Sequence, residues 1–154
     1  MGRALLSVVR DVVITNAPEE LPLVVGLNGL DDAEIGRRLA RGRTSDEPLG
    51  FGAGEVVALV TSVVWMAIQT TANEVVGAAA QGAFGRLRVT LRRMFRRTPS
   101  AAPLPHFGRR ELAEVHRRVL ELARDAEMDP SRAAQLADSV ISRLVLDTAG
   151  DSGE

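Results

Sequence analysis

An almost uncharged apolar stretch, residues 56–85, leads directly into a block of arginines at residues 86–97. Glu74 is the only charged residue of the stretch, whereas the block carries six arginines and no acidic residue. No proline occurs from residue 55 to the end of the block, which permits one continuous helix, although several glycines in the middle also permit two. The protein must bury this apolar segment, insert it into a membrane or cover it with a partner.

As a membrane span the apolar stretch is marginal. Its densest part, residues 56–68, has only 13 residues, whereas a helix that crosses a bilayer needs roughly 20. Extending the span brings in Glu55 or Glu74, and each would cost roughly 2.5–3.5 kcal/mol near the bilayer centre. A polar stripe also follows one side of the predicted helix: Glu55, Ser62, Gln69 and Asn73. We favour a buried or self-associating helix, and a membrane-inserted or surface-lying helix stays open.

The arginine block has the pattern of a basic amphipathic helix. Its apolar side chains share one sector and would form an anchor: Leu87, Leu91, Met94 and Phe95. Its basic side chains cover the other sectors and would bind an anionic surface: Arg86, Arg88, Arg92, Arg93, Arg96 and Arg97. This pattern is typical of helices that bind anionic membranes, and less often nucleic acid or an acidic protein. The alternative is a solvated helix whose arginines pair with the acidic C-terminal region of the same chain.

The N-terminal region gives weaker signals. Residues 4–15 fit a helical stripe, but they are rich in β-branched side chains and fit a strand equally well. Residues 23–27 are short, apolar and bounded by turn residues, which favours a strand, so a short N-terminal β-hairpin is one possibility. Asp31 or Asp32 is expected to cap a short helix that stops at Gly42.

The clearest pattern is a C-terminal helical hairpin. Apolar residues recur at steps of three and four from about residue 109 to residue 127, which predicts an amphipathic helix. Asp129 and Pro130 then form a helix start, and the apolar spacing resumes behind them. Because the connection is short, the two helices are predicted to be antiparallel with their apolar faces together. We therefore expect a mainly α protein of about four helices, including a long central helix and this hairpin.

The predicted organisation has three parts. Residues 1–97 form an N-terminal region with the long apolar-to-basic helix, residues 98–108 a proline-rich linker, and residues 109–147 the hairpin. Glycines at residues 50–54 resemble a phosphate loop only superficially, since no Lys-Ser/Thr pair follows them, and are expected to form a flexible connector.

Composition narrows the possible functions. The chain has no cysteine, which excludes disulfides, thiolate metal sites and cysteine nucleophiles. The two histidines, His106 and His116, lack partners at metal-ligand spacing, and no serine lies in a nucleophile elbow. We expect no catalysis, no cofactor and no metal. The net charge of −1 argues against a general nucleic-acid-binding surface.

The leading hypothesis is a non-enzymatic interaction or scaffold protein. Through the helix at 55–97 it would self-associate as a homo-oligomer, bind a protein partner or dock on an anionic membrane surface. The alternatives are a nucleic-acid-associated regulator that uses the arginine block on phosphates, and a small enzyme with an unrecognised site. The expected location is cytoplasmic, with peripheral attachment to the inner face of the membrane, because basic residues follow the apolar segment.

Overall fold

A computed structural model describes residues 2–44, 59–80 and 103–150. In these ranges the chain forms six α-helices and one 3-10 turn at Pro18–Glu20. The helices are α1 (Gly2–Asn16), α2 (Leu21–Gly26), α3 (Asp32–Thr44), α4 (Leu59–Ala80), α5 (Arg109–Asp125) and α6 (Pro130–Gly150). The mainly α fold is confirmed, but the described ranges alone hold more helices than the four or so that the sequence predicts.

Four of the helices close around one hydrophobic core. Helix α4 contacts α1 and α5, and α6 contacts the same two helices from the other side, so each of the four has two neighbours in a ring. The core contains side chains from all four, and Trp65 on α4 is the largest that is fully buried. The shorter helices pack on the outside of this ring, with α2 on α1 and α3 on α4.

The predicted N-terminal β-hairpin is wrong, because both of its segments are helical in α1 and α2. Four valines of α1 are completely buried: Val8, Val9, Val12 and Val13. Their spacing puts them on one helical face, and burial of that face against α4 and α6 outweighs the modest β-preference of the residue type. Pro22 lies in the first turn of α2, where its missing N–H has no intrahelical partner to lose. The turn behind α2 includes Gly29 with φ of +88°.

Helices α1 and α6 run antiparallel and are joined by polar contacts. Asp11 Oδ2 lies 2.7 Å from Arg143 Nε, and Asn16 Nδ2 donates a hydrogen bond of 2.9 Å to Ser139 Oγ. The Nε–H of Arg143 is not aligned for a hydrogen bond, so this first contact is ionic in character. Because partner positions rise along α1 as they fall along α6, the helices point in opposite directions.

The C-terminal hairpin is formed by α5 and α6, which end and begin on either side of residues 126–129. Asp129 Oδ1 accepts hydrogen bonds from the N–H groups of Ser131 and Arg132, so the predicted Asp-Pro helix start is present. Helix α5 ends earlier than expected, at Asp125. Glu127 has φ of +57°, and its N–H binds the carbonyl of Arg124, which is the geometry of a left-handed helix end.

The stretch before α5 is partly described. Residues 103–108 are non-helical, and Phe107 is buried in the core only two residues before α5 begins. Asp31 rather than Asp32 caps α3, because its Oδ1 accepts a 2.7 Å hydrogen bond from the N–H of Glu34. Helix α3 continues to Thr44, past the stop predicted at Gly42.

Candidate functional site

The arginine block and its apolar sector, residues 86–97, lie outside the described residues, as do the glycines at 50–54. The structure therefore tests neither the six arginines nor the four apolar anchor residues. It does describe α4, the helix that leads toward the block, and the surface of the protein on which α4 ends. The candidate site is built from that surface.

The first part of α4, residues 59–72, belongs to the core. Its buried apolar side chains are Val60, Val63, Val64, Trp65, Ala67, Ile68 and Ala72. This part of the helix is surrounded by α1, α3 and α5. Of the interpretations open for the apolar stretch, burial within the protein's own core is thus the one that applies to residues 59–72.

Polar side chains of this buried half are paired within the protein. The Nε1–H of Trp65 donates a 3.0 Å hydrogen bond to Gln69 Oε1 one turn later. Thr71 donates its hydroxyl to the carbonyl of Ala67. Ser62 is buried as well. Of the polar stripe that the sequence shows, Ser62 is buried, Gln69 is half-buried with a partner on the same helix, and Asn73 is exposed, whereas Glu55 lies outside the described residues.

The second part of α4, residues 73–80, leaves the core. Val75 is half-buried against the core, whereas Val76 is 40% exposed and Gly77, Ala78 and Ala79 lie on the surface. This exposed end has mostly valine, alanine and glycine side chains, and Glu74 is its single charge. It is an apolar, weakly charged surface that continues in sequence toward the arginine block.

The beginning of α4 is held by a buried carboxylate. Glu20, at the end of the 3-10 turn, is only 3% exposed. Its Oε1 accepts a 2.9 Å hydrogen bond from the N–H of Val60, and its Oε2 accepts hydrogen bonds from the N–H and the hydroxyl of Thr61. Amides at a helix N-terminus lack intrahelical acceptors and carry partial positive charge, so a carboxylate satisfies both needs.

Arg118 on α5 connects the exposed end of α4 to the body of the protein. Its Nη2 donates a 2.7 Å hydrogen bond to Glu74 Oε1, and its Nε donates one of 2.8 Å to Glu114 Oε1. Nη1 lies 3.4 Å from the hydroxyl oxygen of Thr71. The hydrogen bond to Glu74 is the main reason that the pKa of Arg118 is raised.

Arg117 extends this cluster along α5. It donates hydrogen bonds to Glu114 and to Glu121, at positions three residues before and four residues after it. The hydrogen bond from Arg117 lowers the pKa of Glu114, and Glu114 in turn raises the pKa of Arg117. Most of these groups face solvent, so the cluster is a screened surface network and not a buried charge site.

One histidine of the described residues pairs with a carboxylate on the surface. His116 Nε2 lies 3.2 Å from Asp138 Oδ1 on the neighbouring helix, in an exposed pair that joins α5 to α6. Within residues 2–44, 59–80 and 103–150, no group of three or more histidine or acidic side chains is arranged to hold a metal ion. Nor do the helices in those ranges include one with the length and apolar character needed to cross a membrane.

Sequence reasoning missed the roles of Glu20 and Arg118. Glu20 lies between two prolines and contacts residues about 40 positions later, and Arg118 contacts a residue 44 positions earlier. Short-range spacing carries no signal for such pairs. Part of a signal was available for Arg118, because Glu114 stands four residues before it on a predicted helix.

Comparison with known proteins does not extend this description, since no protein-family model, curated protein or solved structure matches the chain.

Proposed function

We propose that this protein is a non-enzymatic docking protein that attaches to anionic membrane surfaces through residues 73–97. One observation carries the proposal: α4 leaves the core after Ala72 and offers an exposed apolar end that continues in sequence toward six arginines. The helical body would then be the part that remains in solution. The proposed location is the cytoplasmic face of a membrane, where anionic lipids attract basic segments.

The chemistry of the segment favours a lipid surface over nucleic acid. Each arginine near an anionic leaflet contributes about 1 kcal/mol, so the block could hold a small protein reversibly. Its four apolar residues, together with the exposed Val76 of α4, supply side chains that can enter the acyl boundary. Phosphate contacts with nucleic acid would use the arginines alone and leave these apolar side chains without a role.

The structure also bears on the alternative that the block pairs with the acidic C-terminal hairpin. Several acidic side chains of that hairpin already have basic partners within the body: Glu114, Glu121, Asp138 and Asp147. Pairing of the block with these four side chains would have to displace their present contacts, and this supports an external anionic partner.

Self-association is the second form of the same hypothesis. Its main support was the amount of apolar helix that a small chain would have to cover, and residues 59–72 are covered by α1, α3 and α5. The remaining exposed apolar end is short and made of small side chains. The experiment must therefore be able to detect a homo-oligomer or binding to a protein partner. Membrane docking is the form of the hypothesis that we propose.

Co-sedimentation with lipid vesicles tests the proposal. The wild-type protein should bind vesicles that contain phosphatidylserine and not vesicles of phosphatidylcholine alone. Binding should weaken sharply as salt rises, because charges are screened over about 10 Å at 0.1 M and about 3 Å at 1 M. Substitution of Arg92, Arg93, Arg96 and Arg97 by glutamine should abolish binding.

A matched control removes four arginines from the helical body. Arg10, Arg37, Arg124 and Arg132 are exposed in α1, α3, α5 and α6, and their replacement by glutamine changes the net charge equally. This control should bind almost as the wild type does. Leu91→Ala and Phe95→Ala should each weaken vesicle binding through lost apolar insertion.

Other results would favour the alternatives. Strong, salt-dependent binding to DNA or RNA that is insensitive to Leu91→Ala and Phe95→Ala would support the nucleic-acid regulator. A lipid-independent oligomer in sedimentation equilibrium would support self-association. A monomer that binds neither vesicles nor nucleic acid would contradict the proposal.

A further inference from the structure

The exposed end of α4 is fixed to the protein by very few contacts. Beyond Ala72, Val75 alone among the described side chains of α4 packs partly on the core. The next contact is the hydrogen bond between Glu74 and Arg118, which joins α4 to α5. A helix end with so little buried apolar area depends on such polar contacts for its position.

Arg118 is well placed to make this contact. Its side chain is only 17% exposed, and its Nε is already bound to Glu114 on the same helix. The intrahelical bond fixes the guanidinium before it meets Glu74, so less side-chain freedom is lost when the two helices are joined. Screening by solvent is also reduced on the arginine side of the pair.

Glu74 has a further significance for the proposed docking segment. It is the only charged residue between Glu55 and the arginine block. An unpaired carboxylate at that position would repel the same anionic surface that the arginines attract. Contact with the guanidinium of Arg118 offsets the charge of Glu74, so the apolar end of α4 can approach the surface with less repulsion.

We infer that Arg118 is a positioning residue that fixes the exposed half of α4 on α5 and neutralises Glu74, the one acidic group of the docking segment. The first half of this inference concerns the protein alone. The second half rests on the proposed membrane docking. The two halves can be tested separately because only the second requires lipid.

Hydrogen exchange in the absence of lipid tests the positioning role. Amides of residues 73–80 should exchange about two- to fivefold faster in Arg118→Gln and in Glu74→Gln than in the wild type, as expected for the loss of one ion pair. The double variant should exchange no faster than either single variant, because both substitutions break the same contact. Amides of residues 60–72 should be unchanged.

Two variants serve as controls. Glu121→Gln makes the same chemical change in the same surface cluster but breaks only a contact within α5, so exchange at residues 73–80 should stay at the wild-type rate. Arg118→Lys keeps the charge but cannot bridge two carboxylates in the same fork geometry, and should give partial protection. If Arg118→Gln and Glu74→Gln behave like Glu121→Gln, the positioning role is overturned.

Binding to vesicles that contain phosphatidylserine tests the neutralising role. Arg118→Gln should weaken binding several-fold, and adding Glu74→Gln should restore it, although the double variant has lost the same arginine. Arg117→Gln removes an equal charge from the neighbouring position and should have a smaller effect.

The vesicle results separate the two proposals. If the wild type binds no vesicles, the docking function and the neutralising role both fail, while hydrogen exchange still decides the positioning role. If the wild type binds and Arg118→Gln does not differ from Arg117→Gln, docking stands and the neutralising role is overturned.

Discussion

The two halves of α4 are both apolar in sequence, yet one is buried and the other is exposed. Residues 59–72 include large side chains such as Trp65 and Ile68, which fill the space among α1, α3 and α5. Residues 73–80 have only valine, alanine and glycine as apolar side chains. Because the hydrophobic effect scales with the area removed from water, about 25 cal/mol per Å², small side chains can remain exposed at little cost. Side-chain size therefore separates the halves better than the fraction of apolar residues does.

The largest expected effect is in the buried half. Trp65→Ala should lower the free energy of unfolding by about 3–5 kcal/mol, because it leaves a cavity and removes the N–H group that donates a hydrogen bond to Gln69. Val76→Ala in the exposed half should change it by less than about 0.5 kcal/mol. Urea denaturation without lipid measures both. Similar losses at the two positions would contradict the division of the helix.

The start of the buried half should be the next most sensitive point. Glu20→Ala leaves two amides and a hydroxyl of α4 without their acceptor and should lower the free energy of unfolding by about 1–3 kcal/mol. Glu19→Ala is the matched control, because Glu19 is exposed and lies 3.7 Å from Arg132. Its removal should have little effect on the denaturation midpoint. Equal shifts would mean that the carboxylate of Glu20 does not anchor α4.

Acid should weaken the surface ion pair between Glu114 and Arg117 on α5, the helix that holds the exposed half of α4. Arg117 holds the pKa of Glu114 below its ordinary value of 4.5. The stabilisation from this pair is therefore fully present above pH 4.5 and is lost as the pH falls through the lowered pKa. Carboxyl carbon chemical shifts in a pH titration should show Glu114 titrating below 4.5. In Arg117→Gln, and in the wild type at high salt, the pKa of Glu114 should return toward 4.5. A midpoint that neither change moves would contradict the assigned cause.

A small gain is expected from a glycine in the exposed half. A Cβ at Gly77 would meet no atom within 4 Å, so Gly77→Ala should stabilise α4 locally by about 0.5–1 kcal/mol through helix propensity alone. Hydrogen exchange should slow at residues 73–80. The opposite change in the buried half, Ala72→Gly, should destabilise the whole protein. If Gly77→Ala instead weakened protection, a contact at Gly77 would have to exist that the present geometry does not show.

Local sequence signals were sufficient to predict structure where the interacting residues are close together in the sequence. The Asp129-Pro130 start of α6 and the apolar spacing of its buried face were both readable, because capping and helix periodicity act within a few residues. The end of α5 could not be located from the sequence, because Glu127 occupies a left-handed position at which glycine is the usual signal. The valines of α1 suggested a strand because their burial depends on helices far along the chain.

For the candidate site, the sequence showed the composition of the segment but not its surroundings. Hydropathy could not locate the point at Ala72 where α4 leaves the core, because that point depends on how distant helices pack against α4. The pairing of Glu74 with Arg118 was equally hidden. The arginine block itself is still known from sequence alone, and its role stays a prediction.

The ring of four helices has a consequence for synthesis of the chain. Helix α1 is covered on one side by α6, so Asp11 and Arg143 meet only after more than a hundred intervening residues have been made. At a translation rate of about 5–20 residues per second, that delay is on the order of ten seconds. During this delay the valines of α1 that α6 later buries remain partly exposed to solvent. We therefore expect the nascent chain to be prone to aggregation or to chaperone binding until α6 emerges, and the high sequence separation of the closing contact to slow refolding of the full chain.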